Sequence, residues 1–183
     1  ACVGDSTEEA RREIDARGLT VTPGFIDIHT HSDFSLLLDG RAESALYQGV
    51  TTQVNGNCGI SAFPVGPDGV YLGAFESARL RKAIRPGWDS AAGYFAVLEA
   101  GGVGINTAFF TGHGAVRQAV MGQSVETPTG SELEAMKGLV TRGMEEGSLG
   151  LSTGLTYVPG SYARTEEIVA LAAATAPYAG IYA

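Results

Sequence analysis

The stretch TVTPGFIDIHTH, residues 20–31, decides the reading of this chain. Its β-branched and aromatic residues suit a pleated, buried surface. Pro23 and Gly24 punctuate its start, so a strand is predicted over residues 25–29. Residues i and i+2 of a strand project from the same face. His29 and His31 therefore leave the strand end side by side. Two imidazoles so placed can share one metal ion, and histidine is the commonest protein metal ligand. The same pattern also suits two solvated loop histidines. Asp27 lies on their side of the strand, where it can orient a ligand or satisfy polar groups of the core.

Working outward, VTTQVN (50–55) reads as a second strand, and GNCG (56–59) as the loop after it. Cys58 lies 58 − 31 = 27 positions beyond His31, about one strand-helix repeat. It follows the second strand as the histidines follow the first, which makes the two loops neighbours. A thiolate is a good zinc ligand; a small, buried, inert cysteine is the other reading. Gly56 and Gly59 predict a close backbone approach at this loop. Further strands are predicted at 103–110, apolar enough to be buried on both faces, at 148–152, and at 180–183.

Between the strands lie helical stretches. A short helix is expected at 44–47. A second, over 73–84, carries Arg79, Arg81, Lys82 and, just past it, Arg85, a basic cluster that reads as a solvated face or an anion contact. A third is capped by Asp89 or Ser90, with Tyr94, Val97 and Leu98 inward. A fourth opens on a Ser131-x-x-Glu134 capping box, buries Leu133, Met136, Val140 and Met144, and stops at Gly147. A fifth is capped by Thr165 with Ile168 and Leu171 inward. Strands alternating with helices imply parallel βαβ units. A doubly wound sheet and a (β/α)8 barrel both fit. A barrel takes about 250 residues, so this chain would hold roughly half of one.

The chain has 183 residues, 44% hydrophobic and 17% charged, which is a folded composition. Its net charge of −8 argues against nucleic acid. No run approaches the roughly 18 apolar residues of a membrane span. The cysteines, Cys2 and Cys58, are too few for a disulfide scaffold. Residues 1–14 (ACVGDSTEEARREI) lack a basic start and an apolar core, so no secretory signal is read and the expected compartment is the cytoplasm.

Two further candidates stand later in the chain. His113, in the predicted loop 111–117, reads as a ligand, a substrate contact or a histidine bonded within its own loop. Gly150-Leu151-Ser152-Thr153-Gly154 matches the G-x-S-x-G pattern of serine hydrolases. That elbow must enter a helix directly, whereas residues 155–160 read as loop with Pro159. Its triad histidine must also follow the serine, and none does. Ser152 and Thr153 are better read as interior or pocket-lining residues. A serine hydrolase using Ser152, and a non-catalytic α/β piece, are the competing functions.

Four stretches carry a resemblance: VTPGFIDIHTHSD (21–33), GVTTQVNGNCGIS (49–61), TGHGAVR (111–117) and GSLGLSTGLTY (147–157). Together they resemble the D-aminoacylases (N-acyl-D-amino-acid deacylases) of the amidohydrolase superfamily, where a cysteine after the second strand replaces the usual bridging ligand. The resemblance implies a (β/α)8 barrel beside a small β-sandwich. Residues 1–20 would end the sandwich segment and link it to the barrel, and residues 21–183 would form the barrel's N-terminal half. It implies Zn2+ held by His29, His31 and Cys58, with two more histidines and an aspartate, the general base, beyond Ala183. It implies Tyr157 as a contact to the substrate or to the oxygen of the intermediate. The expected substrates are N-acyl-D-amino acids, with the rest of the polypeptide needed for activity.

Overall fold

The computed structural model describes residues 11–73, 84 and 86–183. Cys2 and the Arg79, Arg81, Lys82 and Arg85 cluster lie outside the described residues. Residues 11–20 form no strand.

The first three strands are β1 (Phe25–Asp27), β2 (Val50–Asn55) and β3 (Asn106–Phe109), paired in parallel in the order β1-β2-β3. A second parallel sheet has the order β4-β5-β6, from Thr111–Gly112, Gly150–Ser152 and Ile181–Tyr182. Only Phe110 separates β3 from β4. The Leu149 amide donates to the Phe109 carbonyl at 2.8 Å, so the end of β3 meets the start of β5. The helices are α1 (Ser35–Leu38), α2 (Glu43–Leu46), α3 (Ala91–Gly101), α4 (His113–Met121), α5 (Gly130–Glu145) and α6 (Thr165–Thr175). No helix among the described residues is long and apolar enough to cross a membrane.

One core packs Phe63, Tyr94 and Phe109, with Phe95 at its margin, as an aromatic cluster under β2 and β3. The Tyr94 hydroxyl donates to the Asp33 carbonyl at 2.5 Å, tying α3 to the segment just past His31. The second core joins Val116, Met136, Val140, Leu151 and Leu171, all fully buried, from α4, α5, β5 and α6.

Several local expectations shift. The first strand ends at Asp27, two residues before the predicted end, and its register to β2 shifts between Phe25 and Ile26. The third spans only Asn106–Phe109 and is exposed at Asn106, so it is not apolar and buried throughout. Residues 111–117 are not a loop. Gly112 is the N-cap of α4, and the helix starts at His113 without a side-chain cap. The capping box of α5 is Thr129/Glu132, two residues before the predicted one. Thr129 stands in extended backbone and opens a longer helix than the Ser131 box would. Thr165 is the first residue of α6, which has no side-chain cap. Val97 faces outward at 38% exposure, since Tyr94 and Leu98 already fill the buried face of α3.

Candidate metal centre

The chain beyond β1 keeps following β2. The Thr30 amide donates to the Val54 carbonyl at 3.0 Å, so residues 28–31 run beside 54–58. Thr30 is fixed between the two histidines. Its Oγ1 donates to Asn55 Oδ1 at 2.6 Å, and Asn57 Nδ2 donates to its carbonyl at 3.3 Å. Asn55 Oδ1 also accepts from the Ser32 amide at 2.9 Å. Asp27 is exposed and satisfies no polar group of the core: its Oδ1 accepts from the exposed His29 amide at 3.1 Å and shapes the turn.

His29, His31 and Cys58 come together. One ligand atom from each lies within 4.8 Å of the others. Cys58 Sγ stands 3.3 Å from His29 Nε2, and the two imidazole rings meet edge to face at 5.4 Å. Zinc bonds of about 2.0–2.3 Å in a tetrahedron put neighbouring donor atoms roughly 3.3–3.8 Å apart. The trio is at or slightly wider than that spacing, and a set of two imidazoles and one thiol is a zinc-type donor set. Burial, and then the neighbouring His29, hold the His31 imidazole below its ordinary range. Both effects favour the neutral ring, which has the lone pair that a ligand needs.

The Cys58 loop has unusual backbone. Cys58 has φ +55°, between Gly56 at +73° and Gly59 at +72°. A Cβ on Gly56 would sit 2.2 Å from the Phe110 carbonyl oxygen, and one on Gly154 would sit 2.1 Å from the Cys58 carbonyl oxygen. A Cβ on Gly114 would meet Tyr71 and the Gly59 carbonyl within 2.8 Å. The close approach expected at this loop is thus to the backbones that follow β3 and β5. Tyr157 belongs to the second of these, with Cδ2 close over Gly154. Its ring packs on the first core, half-buried beside the Cys58 loop.

His113 is elsewhere. It is fully buried, and its Nε2 donates to Glu167 Oε1 of α6 at 2.8 Å. Arg117 Nη1 donates to Glu167 Oε2 at 2.5 Å, and Nη2 to the Glu126 carbonyl at 2.5 Å. The partner of His113 is therefore another helix and not its own loop. Sequence reasoning missed this trio. The available signal was Glu167 in phase with Leu171 and Thr175, a carboxylate on the buried stripe of α6.

Ser152 does not have the environment of a nucleophile. It is fully buried; its hydroxyl donates to the Gly56 carbonyl and accepts from the Gly59 amide at 3.0 Å. The chain after it runs into an irregular loop, not a helix.

Parallel strands that gather imidazoles and a thiol beyond their carboxyl ends define an α/β protein with its candidate site where such folds place their chemistry. The chain belongs to the amidohydrolase family, whose model matches residues 12–183. A D-aminoacylase of Alcaligenes xylosoxydans xylosoxydans is 37% identical over 100% of this chain and 37% of its own length. A crystal structure of D-aminoacylase, described as defining a novel subset of amidohydrolases, matches 100% of this chain and 38% of that one. The TM-score is 0.85 at 38% identity. The N-acyl-D-glutamate deacylase of Bordetella bronchiseptica, solved with zinc and a phosphonate mimic of the tetrahedral intermediate, matches 87% of this chain and 33% of its own. There the TM-score is 0.76 at 35% identity. The chain thus spans about a third of the length of these relatives. The fold is of the amidohydrolase, TIM-barrel type.

Proposed function

We propose that this chain supplies the first half of a (β/α)8 barrel and part of the zinc centre of an N-acyl-D-amino-acid deacylase. The observation that carries the reading is the convergence of His29, His31 and Cys58 beyond adjacent parallel strands. The similarity to D-aminoacylases over the whole chain supports the substrate class. The exposed apolar side chains of β1, Phe25 and Ile26, and of β6, Ile181 and Tyr182, support the half-barrel. A closed barrel has no sheet edges and packs side chains inside, so these faces are the ones that further strands would cover.

In this reading His29, His31 and Cys58 hold the ion, with remaining ligands and the general-base aspartate from beyond Ala183. A bound zinc supplies Lewis acidity toward the acyl carbonyl and a water acidified to a pKa of about 7. The burial that favours the neutral His31 imidazole would suit it to hold such an ion. Asn55 and Asn57 fix the turn between the two histidines through Thr30. Tyr157, over Gly154 and beside the Cys58 loop, contacts the substrate or the oxygen that gains charge. Hydrolysis releases a carboxylate and a D-amino acid.

The test is amino-acid release from N-acyl-D- and N-acyl-L-amino acids by the full-length polypeptide, with metal content measured in parallel. Zinc-dependent release from the D series is expected, with Cys58→Ala and His31→Ala both depleted of metal. The 183-residue piece alone is expected to be inactive, since a site lacking ligands and its base loses affinity and turnover. Full activity after metal removal, or wild-type metal content in both variants, would refute the reading.

A further inference from the structure

We propose that Ser152 is a positioning residue for the metal centre, its buried hydroxyl clamping both flanks of Cys58 so that the thiol is held toward the two histidines. The inference rests on the metal-site reading above. Cys58 is a non-glycine residue in the left-handed region, which its own Cβ disfavours. Such backbone persists only where the surroundings over-determine it. Here one side chain spans the strained residue. Ser152, at the end of β5, donates to the carbonyl of Gly56 and accepts from the amide of Gly59. These are 96 and 93 positions away in the sequence.

A hydroxyl offers one donor and two acceptor lone pairs. In Ser152 the donor is spent on one side of Cys58 and an acceptor on the other. A local backbone bond also closes the turn, from the Ile60 amide to the Asn57 carbonyl at 3.0 Å, but it does not reach β5. The Ala115 amide reaches the Gly59 carbonyl at 3.3 Å and Phe110 crowds Gly56, each on a single flank. Without the hydroxyl, the Gly56 carbonyl and Gly59 amide are buried with no bridge between them, and the left-handed turn keeps its local Ile60–Asn57 bond but loses its anchor to the end of β5. The histidine side follows the same plan. Thr30, between His29 and His31, is tied by Asn55 and Asn57. On both sides a polar group of a neighbouring strand end holds the backbone that carries the converging side chains.

The probe is cobalt(II), whose thiolate charge-transfer band reports the metal–sulfur bond directly. Full-length wild-type, Ser152→Ala and Thr111→Val polypeptides are titrated with cobalt. Thr111→Val is the matched control: it also removes a buried hydroxyl, one that donates to Ser148 Oγ at 3.0 Å. In Ser152→Ala the affinity should fall about tenfold or more, the usual cost of losing a group that orients a ligand, and the band should weaken. Thr111→Val should keep both. Wild-type affinity and band in a folded Ser152→Ala overturn the clamp while leaving the metal site standing. Absence of cobalt binding by the wild type overturns the metal-site reading and the clamp with it. Should Ser152→Ala not fold, hydrogen exchange of the metal-free wild type over residues 56–60 decides. Slow exchange at Gly59 is expected, and exchange at open-loop rates refutes the clamp.

Discussion

Replacing Glu167 by glutamine should destabilise the protein far more than a change of one atom suggests. Glu167 receives His113 at 2.8 Å and Arg117 at 2.5 Å, with the His113 and Arg117 side chains fully buried and its own 2% exposed. Glutamine keeps a carbonyl oxygen for one of them and turns an NH2 toward the other. It also removes the only carboxylate paired with Arg117 among the described residues. Removing one partner of a buried pair costs about 3–5 kcal/mol, because the other charge stays buried. Arg117 retains the Glu126 carbonyl at 2.5 Å and a longer contact to the Ser124 carbonyl at 3.4 Å, which places the expectation near the lower end, about 3 kcal/mol. For a domain of this size 1 kcal/mol moves Tm by about 2–4 °C, so a drop of roughly 6–12 °C should appear in thermal denaturation at pH 7. The double variant Glu167→Gln/Arg117→Met should lose less than the sum of its parts, since replacing both partners approaches neutrality. The pH dependence gives an independent sign. Burial pushes the Glu167 carboxyl up, but the bonds from His113 and Arg117, and their charges, outweigh it and leave the group below its ordinary value of 4.5. Its stabilisation is therefore complete above about pH 4.5 and is lost as pH falls through the lower folded value. The variant should lack that part of the acid limb. A loss below about 0.5 kcal/mol at pH 7, or strict additivity in the double variant, would show that the buried trio does not act as a unit.

Two further outcomes test the local structure. Thr129→Ala should cost about 1 kcal/mol, the usual worth of an N-cap, while Ser131→Ala stays within about 0.5 kcal/mol; the reverse order in chemical denaturation would place the box of α5 where sequence alone puts it. Gly56→Ala should abolish metal retention and lower Tm. Its methyl would lie 2.2 Å from the Phe110 carbonyl oxygen, in a left-handed backbone that costs about 1–2 kcal/mol by itself, and an unchanged melt with full metal content would contradict the close approach.

The strand order and the convergence of His29, His31 and Cys58 were legible because their signals are local or nearly so. An apolar run ending in H-x-H fixes two side chains by the period of a strand. A cysteine one repeat later must stand nearby, because consecutive parallel strands bring their carboxyl ends together, and the β1-β2 pairing does so here. The identity of the caps was less legible. Thr129-x-x-Glu132 and Ser131-x-x-Glu134 satisfy the same pattern, and only the extended backbone at Thr129 chooses between them. The burial of the third strand was overstated, because apolar composition records what a strand is built to face rather than what these residues alone supply.

What supports the trio was not legible, and the reason is distance along the chain. No local pattern announces that a serine will bridge two glycines more than 90 positions earlier. The surrounding letters even suggest another chemistry, since Gly150 and Gly154 around Ser152 imitate a nucleophile elbow. The structure gives each glycine a different cause. A Cβ on Gly150 would lie 1.9 Å from the Ile181 carbonyl oxygen of β6, and one on Gly154 would lie 2.1 Å from that of Cys58. The first lets two parallel strands approach, and the second lets the loop bearing Tyr157 rest on the Cys58 turn. Ser152, between them, is thereby brought to bonding distance of Gly56 and Gly59. The glycines that mimic a nucleophile elbow are the condition for seating the serine against the Cys58 turn, where its hydroxyl is engaged in two backbone bonds.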